Sequence, residues 1–186
     1  GASAYVGADL TAGVVASGLA YHPGPALLVD IGTNGELILL HDGRLYGCAT
    51  AAGPAFEGAG LTHGMRASHG AVAHLQLAPD PLAIKPDVIG DTKPIGLCGS
   101  AYIDFLAQAH ALGLINPAGR FVTTHADLAE RLVPRRHGQA LPVATGTGHE
   151  PILISETDLA ALLHAKAAIA AGILTLLEKV RLQPGD

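Results

Sequence analysis

The sequence predicts an α/β fold in which a mixed sheet, opened by an antiparallel meander, is covered by helices. Three observations carry that reading. Asn34-Gly35 and Asp42-Gly43 separate three short apolar runs, and such a dipeptide between apolar runs is the strongest short-range hairpin signal. After Ser155 apolar residues recur at steps of three and four, as one face of a long helix requires. Hydrophobic residues make up 49% of the chain and charged ones 15%, the latter against about 25% in an average soluble domain. Such a chain buries a core and presents an unusually apolar surface.

The elements follow in order. Asp9 is placed to cap a first helix, and Gly18 to stop it. His22-Pro23-Gly24-Pro25 is a connector that no helix or central strand crosses. Residues 26–40 read as strand, tight Asn-Gly turn and strand, and Arg44 to Thr50 as the third strand. Gly53-Pro54 before Ala55-Phe56-Glu57 reads as a helix start, with proline first and an acid in the first turn. Residues 70–77 alternate like a strand, whereas 78–94 hold four prolines and read as an excursion. Ile95-Gly96-Leu97 is a short strand entering, through Cys98-Gly99, a helix capped by Ser100. That helix runs to about Leu114 and is stopped by Asn116-Pro117-Ala118-Gly119. Residues 117–150 are turn-rich, with a short helix near 127–132. Ser155-Glu156-Thr157-Asp158 is a capping box with Asp in the usual Glu position. The face 159, 162, 166, 169, 173, 176 and 180 is apolar except at Lys166, and the helix closes near Leu182.

Composition also excludes. The formal net charge is −5 and no basic cluster exceeds Arg135-Arg136, so no surface tracks nucleic-acid phosphates. No run of 18 apolar residues occurs, so no membrane span is expected. Gly1-Ala2-Ser3 has no basic leader and reads as an internal boundary rather than a signal peptide. Cys48 and Cys98 cannot frame a disulfide set or a CxxC metal site, and a reducing cytoplasm is the expected compartment. Of ten histidines, none stand at the i, i+4 spacing of a helical metal site.

Asp30 is the most informative residue. It ends an apolar strand, where a buried carboxylate costs several kcal/mol unless paired or bound to a cation. Gly32-Thr33-Asn34-Gly35 follows, a turn whose N–H groups can converge on an anion. A carboxylate for Mg²⁺ beside N–H donors for phosphate is what phosphoryl chemistry needs. The plain alternative is an Asn-Gly hairpin with a strand-end Asp bonded to its own turn. Lys166 has a similar pair of readings, a snorkelling rim residue or a contact to nucleotide or partner. Cys48 reads as a small core residue, and Cys98-Gly99-Ser100 as a strand-to-helix turn. No GxxxxGK[ST] is present, and Gly58-Ala59-Gly60 lacks the third glycine of a dinucleotide loop.

Leu27 to Glu36 (LLVDIGTNGE) resembles the second phosphate loop of the acetate and sugar kinase, heat-shock chaperone and actin superfamily. More narrowly, it resembles the ATP-dependent reductive activators of corrinoid proteins. Residues 51–59 (AAGPAFEGA), 64–67 (GMRA), 96–104 (GLCGSAYID) and 164–173 (HAKAAIAAGI) belong to the same pattern in the same order, with Ala101 standing where glycine is expected. The resemblance implies the second ribonuclease-H-like half of an actin-like ATPase domain. Residues 1–24 would be a leading helix and connector from the upstream half, and 25–186 the second subdomain, truncated before the adenosine loop. It implies ATP and Mg²⁺ as cofactors, with Asp30 orienting the metal or the attacking water. Gly32, Thr33 and Asn34 would hold the β- and γ-phosphates, while Gly53 and the helix start through Glu57 close the cleft. A [2Fe–2S] ferredoxin-like domain, expected in the parent protein and not here, would pass the electron. The partner would be a corrinoid protein of methyl transfer, reduced from cob(II)alamin to cob(I)alamin, with a homodimer also allowed. The parent reads as the enzyme and this stretch alone as inactive. The rival reading is a non-catalytic docking or dimerisation module with a vestigial phosphate loop.

Overall fold

The computed structural model describes residues 7–185; the first six residues of the expected leading segment and Asp186 lie outside it. Two compact units divide the chain, residues 1–53 with 165–186 and residues 54–164.

The first unit is built on the meander. β1 (Ala26–Ile31), β2 (Gly35–His41) and β3 (Arg44–Thr50) pair antiparallel in that spatial order. The second turn is the two-residue kind that its sequence demands. Asp42 (φ 49°) and Gly43 (φ 69°) are both left-handed. The first turn differs from expectation. Ile31 pairs with Gly35, so the loop is the three residues Gly32-Thr33-Asn34, and Gly35 is already strand with no positive φ. Its glycine is needed for space instead: a Cβ would sit 2.5 Å from Thr50 Oγ1 and 3.0 Å from Ile169 Cγ1.

α1 (Ala8–Ser17) ends at Gly18 in the left-handed conformation (φ 68°), whose N–H donates to Val14 and Val15 carbonyls, as expected. Its cap lies two residues earlier than expected. Gly7 is the cap, and the Asp9 carboxylate instead accepts the Leu10 N–H at 2.9 Å. Leu10, Val14 and Leu19 bury against Ile38 and Leu40, with Ala26 and Leu28 beside them.

The second unit holds two more three-stranded sheets. β4 (Ala71–Pro79) lies between antiparallel β5 (Leu82–Val88) and parallel β6 (Gly96–Leu97), while β7 (Val133–Arg135), β8 (Gly138–Thr145) and β9 (Pro151–Ser155) form a second meander. β5 occupies the expected excursion. Its Pro86, opposite Leu75, is tolerated because β5 is an edge strand and needs no donor on its outer side. β7 and β8 lie in the stretch read as turns. Pro142 hides β8, because it sits where the register shifts and breaks the alternation. The short helix of that stretch is α3 (Ala126–Arg131).

α2 (Gly99–Ala111) is capped by the backbone of Cys98 and gives out three residues before Leu114, at Leu112 and Gly113 (φ 69°). Ser100 lies inside the helix, not at its cap, because its hydroxyl is committed to the Ala73 carbonyl. With Asp104 and Gln108, one and two turns on, it closes the edge of β4 that the two-residue β6 leaves open. Asp104 accepts from Leu75 N–H at 3.3 Å, and Gln108 accepts from Leu77 N–H at 2.9 Å and donates to Leu75 O at 2.6 Å. Helix side chains here replace a missing strand.

Gly99 touches the carbonyl of Phe56, and a Cβ would collide with that oxygen and lie 2.7 Å from its carbon. Alanine within a helix gains about 1 kcal/mol over glycine, but a clash with backbone costs about 1–3 kcal/mol and cannot be relieved by a rotamer. Gly99→Ala is therefore expected to lower the urea midpoint. An unchanged or raised midpoint would show that the contact gives way.

α4 (Glu156–Val180) begins with the expected capping box. Asp158 Oδ2 accepts the Ser155 N–H at 2.8 Å, and Ser155 Oγ accepts the Asp158 N–H at 3.2 Å. Leu159, Leu162, Ala165, Ile169 and Leu176 are buried, so the stripe runs through Ala165 and leaves Lys166 exposed. With 25 residues and a mean hydropathy of 1.8 over its most apolar stretch, α4 has the length and composition to cross a bilayer. About 33% of that stretch is buried.

Candidate functional site

The register of β1 and β2 sets the site. Around the three-residue loop, Asp30 stands directly opposite Glu36, and directly opposed strand residues share a face. The first turn of α1 adds Asp9. One carboxylate oxygen from each of Asp9, Asp30 and Glu36 lies within 4.8 Å of the others; the first two residues are exposed and Glu36 is half-buried. Glu36 Oε1 also accepts the Gly7 N–H, at 3.4 Å. At that separation each pair of like charges repels by about 1 kcal/mol even in water. A divalent cation reverses the sign of the arrangement. An all-oxygen donor set suits Mg²⁺ or Ca²⁺ rather than zinc or copper.

Asp30 is exposed, which corrects the expectation of a buried strand-end carboxylate. β1 is the edge of its sheet among the described residues, so water reaches the end of the strand. The desolvation cost that made Asp30 conspicuous is absent. Its proximity to two other acids takes over as the argument.

Gly32, Thr33, Asn34 and Gly53 are brought together. Gly53 N–H donates to Thr33 O at 2.9 Å and Gly32 N–H to Asn34 O at 3.3 Å, while Thr50 Oγ1 holds the Gly35 carbonyl at 3.2 Å. Gly53 has φ 73°, a conformation that favours glycine, so the end of β3 can turn back onto the loop. The Gly32 amide is engaged within the loop, leaving fewer N–H groups to face an anion than the sequence suggested. Glu57 belongs to the second unit and is exposed. The helix expected at Pro54 is a single 3-10 turn, Pro54–Glu57, closed by Gly58 at φ 79°. Four residues align too few peptide dipoles to attract phosphate, so that part of the expectation is corrected.

Asp9 and Glu36 are absent from the sequence-based set. Glu36 was within reach, because counting outward from Thr33 pairs it with Asp30. Nothing local points to Asp9.

A second polar cluster lies in the second unit. Asp158, 3% exposed, accepts Thr62 N–H at 2.8 Å, Thr62 Oγ1 at 3.0 Å, and Ser155 N–H and Oγ–H at 2.8 Å each. Nearby, the Tyr102 hydroxyl accepts the His63 N–H at 3.2 Å, and burial holds the phenol far above its usual range. His63 is held below the usual imidazole range, first by desolvation and then by Arg135, with Asp158 opposing. With four donors on one carboxylate, this is a structural hub. Burial pushes the Cys48 thiol up, keeping it protonated, and Cys98 is buried with Sγ 3.1 Å from Val72 O. A groove of about 650 Å³ between β3 and the end of α4 is lined by Leu45, Tyr46, Cys48 and Leu176 among others, and by none of the three clustered acids.

Residues 24–186 match the family described as the C-terminal domain of RACo, the ASKHA domain. The corrinoid activation enzyme RamQ of Eubacterium limosum is 36% identical over 190 residues, covering 98% of this chain and 31% of that protein. The Co(II) methylated amine-specific corrinoid protein reductase of Methanosarcina barkeri is 39% identical over 71 residues, 38% of this chain and 13% of the reductase. A solved structure of a reductive activator for corrinoid, iron-sulfur protein superposes with a TM-score of 0.87 at 40% identity, covering 97% of this chain and 29% of that one. The chain thus spans less than a third of the length of these proteins.

Proposed function

The chain belongs to the family of the RACo C-terminal ASKHA domain, and from that premise we propose that it is the nucleotide-handling part of a reductive activator of a corrinoid protein. Its ASKHA fold is α/β with mixed and antiparallel sheets. Its relatives are corrinoid activation enzymes and reductive activators. In this reading ATP hydrolysis drives transfer of one electron from a [2Fe–2S] domain elsewhere in the protein to the corrinoid partner. A cluster there would supply the electron that takes cob(II)alamin to cob(I)alamin, in the cytoplasm.

The observation that carries the reading is the meeting of Asp9, Asp30 and Glu36 beside the loop 32–34. Three hard oxygen donors fit Mg²⁺, which when bound supplies positive charge to the phosphates. Asp30, with Asp9 and Glu36, would hold the cation. Gly32, Thr33 and Asn34 would face the phosphates, and the Gly53 N–H keeps the loop closed through Thr33 O. Hydrogen exchange of the full-length protein tests this. Mg-ATP is expected to slow exchange of the 30–36 backbone, with no such effect from ATP in chelator. Unchanged exchange there would favour the docking or dimerisation module.

A further inference from the structure

β7 and β8 are joined by the tightest of connections. Arg135 pairs with Gly138, so Arg136 and His137 alone form the tip, and Arg135, Arg136 and His137 are all exposed. The base of this hairpin is fixed from below. Gln139 N–H donates to Glu156 Oε2 at 3.1 Å, and Arg120 Nη1 reaches the same oxygen at 2.9 Å. Gly138 (φ 117°) leaves no room for a side chain between Arg120 and Glu156. Arg131 ties α3 to the neighbouring strands by donating to Leu82 O at 2.8 Å and Pro142 O at 3.4 Å.

Basic residues gather at this hairpin more closely than elsewhere in the sequence. The whole sequence carries −5, with 11 lysines and arginines. Arg131, Arg135 and Arg136 fall within six positions, and among the described residues none of them has a carboxylate partner. Arg120 is neutralised by Glu156. The acids on adjacent α3 are Asp127, which accepts the Leu82 N–H at 3.3 Å, and exposed Glu130. Two arginines, Arg135 at the end of β7 and Arg136 on the turn, are therefore held at the end of a short, anchored hairpin with their charge unspent. Guanidinium forks match carboxylates in a bidentate fashion and are weakly hydrated, which favours them at protein interfaces.

We propose that the end of this hairpin, Arg135 with the tip residues Arg136 and His137, is a docking surface for a carboxylate-rich face of a protein partner. Two adjacent cations on a net acidic chain suit a few carboxylates better than a phosphate backbone, which needs an extended basic track. The inference rests on the proposed function, so the partner used in its test is the corrinoid protein that the full-length protein reduces.

Steady-state reduction is measured against corrinoid-protein concentration from low to physiological salt. Arg135→Glu with Arg136→Glu is expected to raise KM about tenfold at low salt and to flatten its salt dependence, because like charges across a rim slow encounter. Saturated kcat and Mg-ATP hydrolysis stay at the wild-type level. Arg135→Lys with Arg136→Lys retains the salt dependence. An unchanged KM and salt slope in the double Glu variant overturns the docking surface alone. So does equal weakening in the Lys variant, which would show a role in shape rather than charge. So does competition by a single-stranded oligonucleotide that the Glu variant abolishes, which would point to nucleic acid. Failure of the wild-type protein to reduce the corrinoid protein at any salt overturns the functional reading as well.

Discussion

Asp30→Asn in the full-length protein is expected to cut ATP-driven corrinoid reduction by about 10²-fold or more while leaving the melting temperature unchanged or slightly raised. Asparagine keeps the shape of the side chain and removes one of three charges that lie within 4.8 Å of each other. Because Asp30 is exposed, its charge has no buried partner to lose, and relief of two repulsions of about 1 kcal/mol each in water offsets any lost hydrogen bond. Activity and stability therefore move apart, as a metal-holding role requires. Asp9→Asn and Glu36→Gln should move both in the same directions, and all three should weaken the Mg²⁺ dependence of nucleotide binding in calorimetry. Near-wild-type turnover in Asp30→Asn would sink the assignment of the cation. Reduced turnover with unchanged Mg²⁺ dependence would move Asp30 from metal to phosphate or water.

Asp158→Ala is expected to be the most destabilising change in the second unit, at about 3–5 kcal/mol. The carboxylate accepts from two backbone N–H groups and two hydroxyls, those of Thr62 and Ser155, and is almost wholly buried. Alanine would leave those donors without their acceptor and remove the reciprocal half of the α4 cap, itself worth about 1 kcal/mol. Against a typical total of about 5–15 kcal/mol, that loss leaves little. Urea unfolding followed by circular dichroism measures it. Ser155→Ala, which removes one hydroxyl and keeps the carboxylate, should cost about 1–2 kcal/mol. A loss below 1 kcal/mol for Asp158→Ala would mean that water replaces the carboxylate and that the hub is not structural.

The local features of this protein were legible in its sequence because their causes are local. Gly18 stops α1 and Asp42-Gly43 turns β2 into β3 because left-handed backbone favours those residues, wherever the rest of the chain lies. Ser155 and Asp158 cap α4 because two side chains three residues apart can reach each other's backbone N–H groups. The loop at 32–34 and its flanking Asp30 were visible for the same reason, being held in one hairpin.

What only the tertiary structure decided concerns residues whose partners are distant. Gly35 looked like a turn residue, yet it is a strand residue that leaves room for Thr50 and Ile169. Ser100 looked like a cap, yet its hydroxyl is taken by Ala73 on a strand that only the fold brings near. β5 and β8 carry prolines that argue against strands, and edge position and a register shift made them tolerable. Asp9 joins Asp30 and Glu36 because α1 packs its Leu10 and Val14 on the meander, which sets its first turn beside the loop. Sequence pattern records what a residue does to its own backbone. Burial, edge position and the gathering of like charges arise from which surfaces meet, and no window of neighbouring residues contains that information.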